Sequence, residues 1–538
     1  NAYGFSYNHT TYLGANSYVG CSTNKYYAAA SYIGAYATTI NSVDMTSSSA
    51  DVEFYVDSFL VNAASYTTTL STSGNIKVSP ASNAVGIQNF DRSVDFTGLT
   101  FGSSIGSATF GYAGTSGANQ TTTALTIPTM SIVGPISVYG GTVTVTGNLT
   151  TTGSGNAILC KATGDVVASG GTSSVARNIQ TNAGAITLWS DADGSGAGAI
   201  NLNDYTGLYS AAGATDMVTA GGQITLGGGS TGSTAPTGSA IGNSTGNTDG
   251  VLLGSKASVA NSIKIYAGNS GVSIKGTSAY GRGVFMTPGS NIYAGDTILI
   301  QGGASGASGG YFHAVALGDV SSPTTTFNIV SAKATGTAIQ LTGDTTNTQT
   351  GQPSFGVVIT PNAGASYISM LKATGGGAIS ITGTSTTSST NGVYLASVDI
   401  LSANGTIGIS GGTRGTYLSA NVNIGYKTGS SVTSDSGDIL FRGDSLNITS
   451  GATVKTSGII TASPETNSNQ INLGAADSAG VLGLSATELG SFYAGTFRAG
   501  VGNGTNTGDV VISANITPAN FSTLAIRTAG AVSEASSY

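Results

Sequence analysis

The chain has 538 residues, including 82 Gly and 10 Pro, a formal net charge of −7 and only 8% charged residues. Ordinary globular domains carry about 25% charged residues, so a conventional charged surface is excluded. There is no basic run to hold nucleic acid or anionic lipid, and no stretch of about 18 apolar residues to span a membrane.

Low charge with abundant Gly could mark disorder, but disorder needs few β-branched and aromatic residues. This chain is rich in Ile, Val and Thr and has 24 Tyr. It can therefore bury apolar surface, in thin ladders rather than in one thick core. The chain opens Asn1-Ala2-Tyr3 without an initiator Met or a secretory leader, which fits a mature form or an excised segment.

Residues 1–60 are Tyr-rich and locally poor in Gly, as in Tyr26-Tyr27 and Ser31-Tyr32-Ile33-Gly34-Ala35-Tyr36. Asp51-Val52-Glu53-Phe54-Tyr55-Val56-Asp57 alternates like a strand. We read this segment as a β cap or junction, because bare strand edges at the end of a repeat array pair with other chains. Tyrosine offers a flat apolar body with a polar tip, so Tyr26, Tyr27, Tyr32 and Tyr36 are the candidate interaction residues. Packing within the cap is the competing role for them.

From 61 to 466 short strands alternate with Gly, Ser, Asn and Asp turns, as in Ile136 through Leu149. Apolar residues fall at every second place, so one face of each strand is buried. No segment sustains a helical period, and very little helix is expected. A phrase of Gly, a short spacer and apolar-x-apolar keeps returning. It opens at Gly184, Gly198, Gly222, Gly295, Gly336, Gly377, Gly405 and Gly437. A phrase that returns every 20–40 residues or so signals stacked units, not a sandwich. About 15–20 turns at the normal strand spacing of about 4.8 Å would build a rod on the order of 70–100 Å long. Regularity fades across 467–538, which reads as an irregular C-terminal β cap or junction containing Phe492-Tyr493-Ala494-Gly495-Thr496-Phe497.

Residues that could carry chemistry are sparse. His9 and His313 are the only histidines, and neither has the neighbouring carboxylate that a catalytic triad requires. Carboxylates are dispersed, which argues against a glycoside hydrolase pair and against an enzyme generally. Asp191 and Asp193 are the tightest acidic pair of the repeats. Asp191-Ala192-Asp193-Gly194-Ser195-Gly196 is a weak calcium candidate, since a calcium loop needs a further oxygen ligand and a distal Glu. A solvated turn is the simpler reading, and no other cofactor is indicated. Arg442-Gly443-Asp444, a tripeptide that some receptors recognise, follows an apolar phrase and is expected at a turn; chance explains it best. Asn-x-Ser/Thr sequons such as that at Asn148 arise from composition, and Asn at repeated turns more often stacks as a ladder. Cys21 and Cys160 are too few for a disulfide framework or a zinc site; small buried hydrophobes are the simple reading, and a bridge between them stays open.

The stretch from about Val133 to Gly229 resembles large bacterial surface proteins with filamentous-haemagglutinin-type repeats. The resemblance lies in Val133-Gly134-Pro135-Ile136-Ser137-Val138-Tyr139-Gly140-Gly141, Gly147-Asn148-Leu149-Thr150-Thr151, Ala157 through Asp165, Asn178-Ile179-Gln180-Thr181-Asn182 and Gly184 through Gly194. It implies a right-handed parallel β-helix exported to the cell surface, with roles in adhesion, aggregation or biofilm. The expectation is thus an all-β chain, a right-handed parallel β-solenoid with a distinct Tyr-rich N-terminal β region. It would act as an extracellular adhesive rod at the bacterial cell surface. Its partners would be a host or neighbouring-cell surface, glycans or like subunits, without nucleic acid or membrane insertion. The alternative is a subunit of a self-assembling extracellular filament or matrix fibre, a homopolymer.

Overall fold

The computed structural model describes residues 17–22, 25–30, 39–40, 45–46, 51–55, 60–61, 68–80, 89–90, 93–114, 119–230, 235–244, 246–255, 263–306, 312–318, 325–346, 353–360, 368–386, 390–425, 437–501, 505–516 and 520–535. It divides into two compact units, residues 1–241 with 263–270, and residues 242–262 with 271–538. Both are parallel β-solenoids.

In the first unit one turn comprises Ile136–Gly140, Val143–Val145 and Leu149–Ser154. The next comprises Ile158–Ala162, Val166–Ala168 and Arg177–Asn182. Each strand pairs in parallel with its counterpart one turn on: Ile136 opposes Ile158, Val143 opposes Val166, and Leu149 opposes Ile179. Three ladders result, here called sheets 1, 2 and 3. Alternate residues of every strand point inward. Ile136, Val138, Val143, Val145 and Leu149 are all at most 2% exposed, so the core is a set of stacked aliphatic columns.

The second unit repeats the plan. In sheet 1, Val272, Ile298, Ile339, Ile379, Ile407, Ile439 and Ile460 oppose one another in succession. The returning glycine phrase is the sheet 1 strand in every instance except one. Ile200–Leu202 pairs with Val166–Ala168 and belongs to sheet 2, so the phrase marks a local geometry rather than one point per turn. That geometry explains the glycine. A Cβ at Gly184 would run into the carbonyl of Asn156 one turn back, and one at Gly405 into the carbonyl of Gly377. At those two positions only hydrogen fits against the backbone of the turn before, whereas Gly336 has room for a Cβ and is set apart by its positive φ of 68°.

Parallel pairing is present on both sides of residue 60. Lys25–Ala30 pairs with Asp51–Tyr55, which pairs with Asn75–Ser79. What distinguishes the beginning is an antiparallel pairing of Ser17–Ser22 with Lys25–Ala30. Tyr26 and Tyr27 lie on this hairpin, whose backbone alone is described; Tyr32, Tyr36 and His9 lie outside the described residues. Beyond residue 467 the plan changes. Sheet 1 goes on through Phe492–Ala499 and Phe521–Ile526. A separate ladder joins Gln470–Leu473 to Val481–Leu484 and Val510–Ile512. The one helix among the described residues is Ala486–Leu489, so no helix there is long and apolar enough to cross a membrane.

Cys160 is a free thiol inside the sheet 1 column, between Val138 and Leu188. Burial pushes its pKa up to about 12. The thiolate is the reactive form, so in a Cys21→Ser chain a thiol reagent is expected to leave Cys160 unmodified in the folded state. Labelling should become complete on denaturation. Rapid labelling of the native Cys21→Ser chain would show that the column opens.

Candidate binding surface

Because strand residues alternate, every turn also presents outward side chains, and parallel register stacks them in columns. In the second unit Lys275, Gln301, Thr342, Thr382, Ser410 and Arg442 form one such column on sheet 1. Asparagines join adjacent turns on sheet 3, where Asn328 Nδ2 donates to Asn291 Oδ1 at 2.8 Å. An aromatic run climbs the same unit: His313 on Phe355, Phe355 on Tyr394, and Tyr394 on Tyr417, with centroids 5.3, 5.0 and 5.2 Å apart. His313 is buried, and its Nδ1 accepts the Phe355 N–H at 3.1 Å. It holds neighbouring turns together.

The acidic pair of the first unit closes its own turn. Asp191 adopts a positive φ of 48° and is buried. Its Oδ1 accepts from Ser195 Oγ at 3.2 Å and from the Gly196 N–H at 3.0 Å. Desolvation raises its pKa, opposed by these hydrogen bonds. Asp193 Oδ1 accepts the Ser195 N–H at 3.2 Å. Ser195, which a calcium loop would need as a ligand, is thus turned onto the carboxylates. Among the described residues no three His, Cys, Asp or Glu groups gather as a metal site.

The Arg442-Gly443-Asp444 tripeptide, expected at a turn, instead has Arg442 and Gly443 as the end of the sheet 1 strand Ile439–Gly443. Both charged ends are bonded to the following turn. Arg442 Nε sits 2.8 Å from Glu465 Oε2, and the Asp444 carboxylate accepts the Thr466 N–H and hydroxyl at 2.7 and 2.6 Å.

The arrangement least visible in the sequence is the end of sheet 2. In earlier turns each strand donates to the next: the Thr416 N–H reaches Ser445 O at 3.0 Å. At the last sheet 2 strand, Leu446–Ile448, carboxylates take the place of the next strand. The Leu446 N–H donates to Asp477 Oδ2 at 3.1 Å, and the Ile448 N–H to Glu488 Oε1 at 3.3 Å. Asp477 also accepts from Ser445 Oγ and the Gly483 N–H, both at 2.8 Å. Glu488 is buried and held by a capping box with Ser485. The spacing Ser485-x-x-Glu488 was the available signal for that helix start. Nothing local pairs Asp477 with Leu446.

Desolvation raises the pKa of both Asp477 and Glu488 above the ordinary carboxylate range, against the pull of their hydrogen bonds. A folded state that holds protons more tightly than the unfolded chain gains stability from acid. The contribution is complete below the unfolded carboxylate values near pH 4 and is lost as pH rises through the raised folded values. Protection of the 446–490 segment against hydrogen exchange, corrected for intrinsic rates, is therefore expected to be greater at pH 5 than at pH 8. An Asp477→Asn/Glu488→Gln chain should flatten that slope. A slope unchanged by the double substitution would assign it to other groups.

Beside this cap lies a groove of about 460 Å³ lined by Asn391, Arg414, Asp444, Ser445, Asp477 and Ser478 among others. Asn391 Nδ2 donates to Arg414 O at 3.3 Å, and one Arg414 N–H group reaches Thr386 O at 3.2 Å. Comparison of the chain with protein-family models, with curated proteins and with solved structures finds no match.

Proposed function

We propose that the chain is an extracellular structural and adhesive segment of a bacterial surface protein of the filamentous-haemagglutinin type. In this reading it serves attachment, aggregation or biofilm formation. The observation that carries it is the in-register stacking of outward side chains. Each turn sets its outward residues in register with those of the turn before, about 4.8 Å away, and many weak contacts made together gain by effective concentration. Low charge, Asn and aromatic stacking, and carboxylates spent on turns and strand edges all serve display rather than turnover. Negative-stain microscopy over a concentration series, together with attachment of chain-coated beads to cell and glycan surfaces, tests the reading. Separate particles at every concentration with bead attachment support it. Fibres with a fixed axial repeat would replace it with the filament subunit, and separate particles without attachment would remove the adhesive role.

A further inference from the structure

From the groove beside the sheet 2 cap, we infer that it is a binding site for a neutral, hydroxyl-rich glycan chain. The inference rests on the adhesive reading and names its ligand class. Three features of the groove carry it.

The first is how the groove arises. Asn391, Arg414 and Asp444 each stand two residues before a sheet 2 strand, Val393–Leu395, Thr416–Leu418 and Leu446–Ile448. Those strands oppose one another turn on turn, so the three residues form successive ledges at the strand spacing. That step is close to the length of one pyranose ring. Where the next ledge would come, sheet 2 has stopped, and the inserted segment with Asp477 and Ser478 forms the end wall. The groove exists because a carboxylate cap stands in place of another strand.

The second feature is chemistry. Asp444 and Asp477 supply carboxylate acceptors, while Arg414 keeps donors beyond the one directed at Thr386. Ser445 and Ser478 add hydroxyls. Sugar hydroxyls donate and accept at once and suit this mixture. Two carboxylates against one guanidinium disfavour phosphate and nucleic acid, and no large apolar side chain lines the groove to hold an apolar ligand.

The third is preorganisation. Three hydrogen bonds hold the Asp477 carboxylate, and two from Thr466 hold that of Asp444. Binding need not order these groups. The volume falls in the small-ligand range. Without an aromatic platform a few hydrogen bonds give dissociation constants of roughly millimolar order, which multivalent display can use.

The full chain, an Arg414→Ala chain and a Ser478→Trp chain would be compared on an array of neutral and anionic oligosaccharides. Saturation-transfer NMR would follow the bound sugars, with Ser173→Trp in the first unit as a control. The expected result is binding of neutral oligosaccharides, reduced at least tenfold in both groove variants and unchanged in the control. Equal binding by all chains would place the site elsewhere and overturn the inference. Binding of anionic sugars alone would overturn the ligand class. No sugar binding with bead attachment intact would end the glycan reading of the groove while leaving the adhesive function standing. Loss of both would remove the two together.

Discussion

A Phe497→Ala chain is expected to lose about 3–5 kcal/mol of stability, the usual cost of removing a fully buried aromatic ring, and to lose it locally. Phe497 is completely buried. It belongs to an inner run of rings in which Phe441–Phe492, Phe492–Phe497 and Phe497–Phe521 centroids lie 6.1, 5.1 and 5.5 Å apart. In sheet 1 Phe497 takes the place that Ile407, Ile439 and Ile460 hold in the preceding turns. In a stack of turns each turn touches mainly its neighbours. The cavity should therefore loosen the strands around residues 441–526 and leave strands such as Ile298–Ala304 protected. Segment-resolved hydrogen exchange measures this directly and avoids assuming a single two-state transition, which long arrays often violate. Equal loss of protection at Ile298–Ala304 would show that the second unit unfolds as one block.

Removing the sheet 2 cap should change association more than any other surface alteration. In an Asp477→Ala/Glu488→Ala chain the Leu446 and Ile448 N–H groups lose the acceptors that replace a following strand. Leaving a buried donor without a partner costs about 1–3 kcal/mol. A strand edge with free N–H groups is also a template for another chain. The double alanine chain is expected to lose protection at Leu446 and Ile448 and to self-associate with rising concentration in sedimentation velocity. Asp477→Asn/Glu488→Gln keeps an acceptor at each position and should stay near wild-type behaviour. A double alanine chain that remains monodisperse and protected would mean the inserted segment covers the edge by packing alone. Holding charge on a half-buried Asp477 and a buried Glu488 is unfavourable, as their raised pKa values reflect, and what they provide is the termination of a ladder.

Such a termination bears on the choice between a display segment and a filament subunit. A parallel ladder adds further strands at any open edge, in cis or in trans. Here one of the three ladders is closed by side chains while sheet 1 runs on through Phe521–Ile526. The same insertion that closes the edge walls the groove, so the cap and the proposed glycan site stand or fall on one segment.

Much of the architecture was legible in the residues. Period-two alternation in Ile136 through Val145 marks strands with one buried face, since a strand turns its side chains over at every step. The return of Gly and apolar-x-apolar marks stacking, since the unit is short and uses the same local solution each time. The glycine itself was readable as a special position, but its cause was not. The close approach of Gly184 to Asn156, or of Gly405 to Gly377, depends on which turn lies beneath. The assignment of Gly198 to sheet 2 likewise follows from register, a long-range pairing that one strand's composition does not encode.

The candidate sites divide along the same line. Asp191 through Gly196, read as a solvated turn, is held by hydrogen bonds between residues a few positions apart in the chain, whereas the burial of Asp191 follows from the turns packed around it. The tripeptide at Arg442 was read from its neighbours in sequence, whereas its bonds go to Glu465 and Thr466 in the following turn. The groove joins Asn391, Arg414, Ser445 and Asp477, and the cap joins Leu446 to Asp477 and Ile448 to Glu488. By itself the sequence determined the strand period, the repeat and the scarcity of charge, all of which are properties of neighbours along the chain. Only the tertiary structure decided which side chains meet across turns and where a ladder ends, because stacking places side by side residues that the chain keeps 20 or more positions apart.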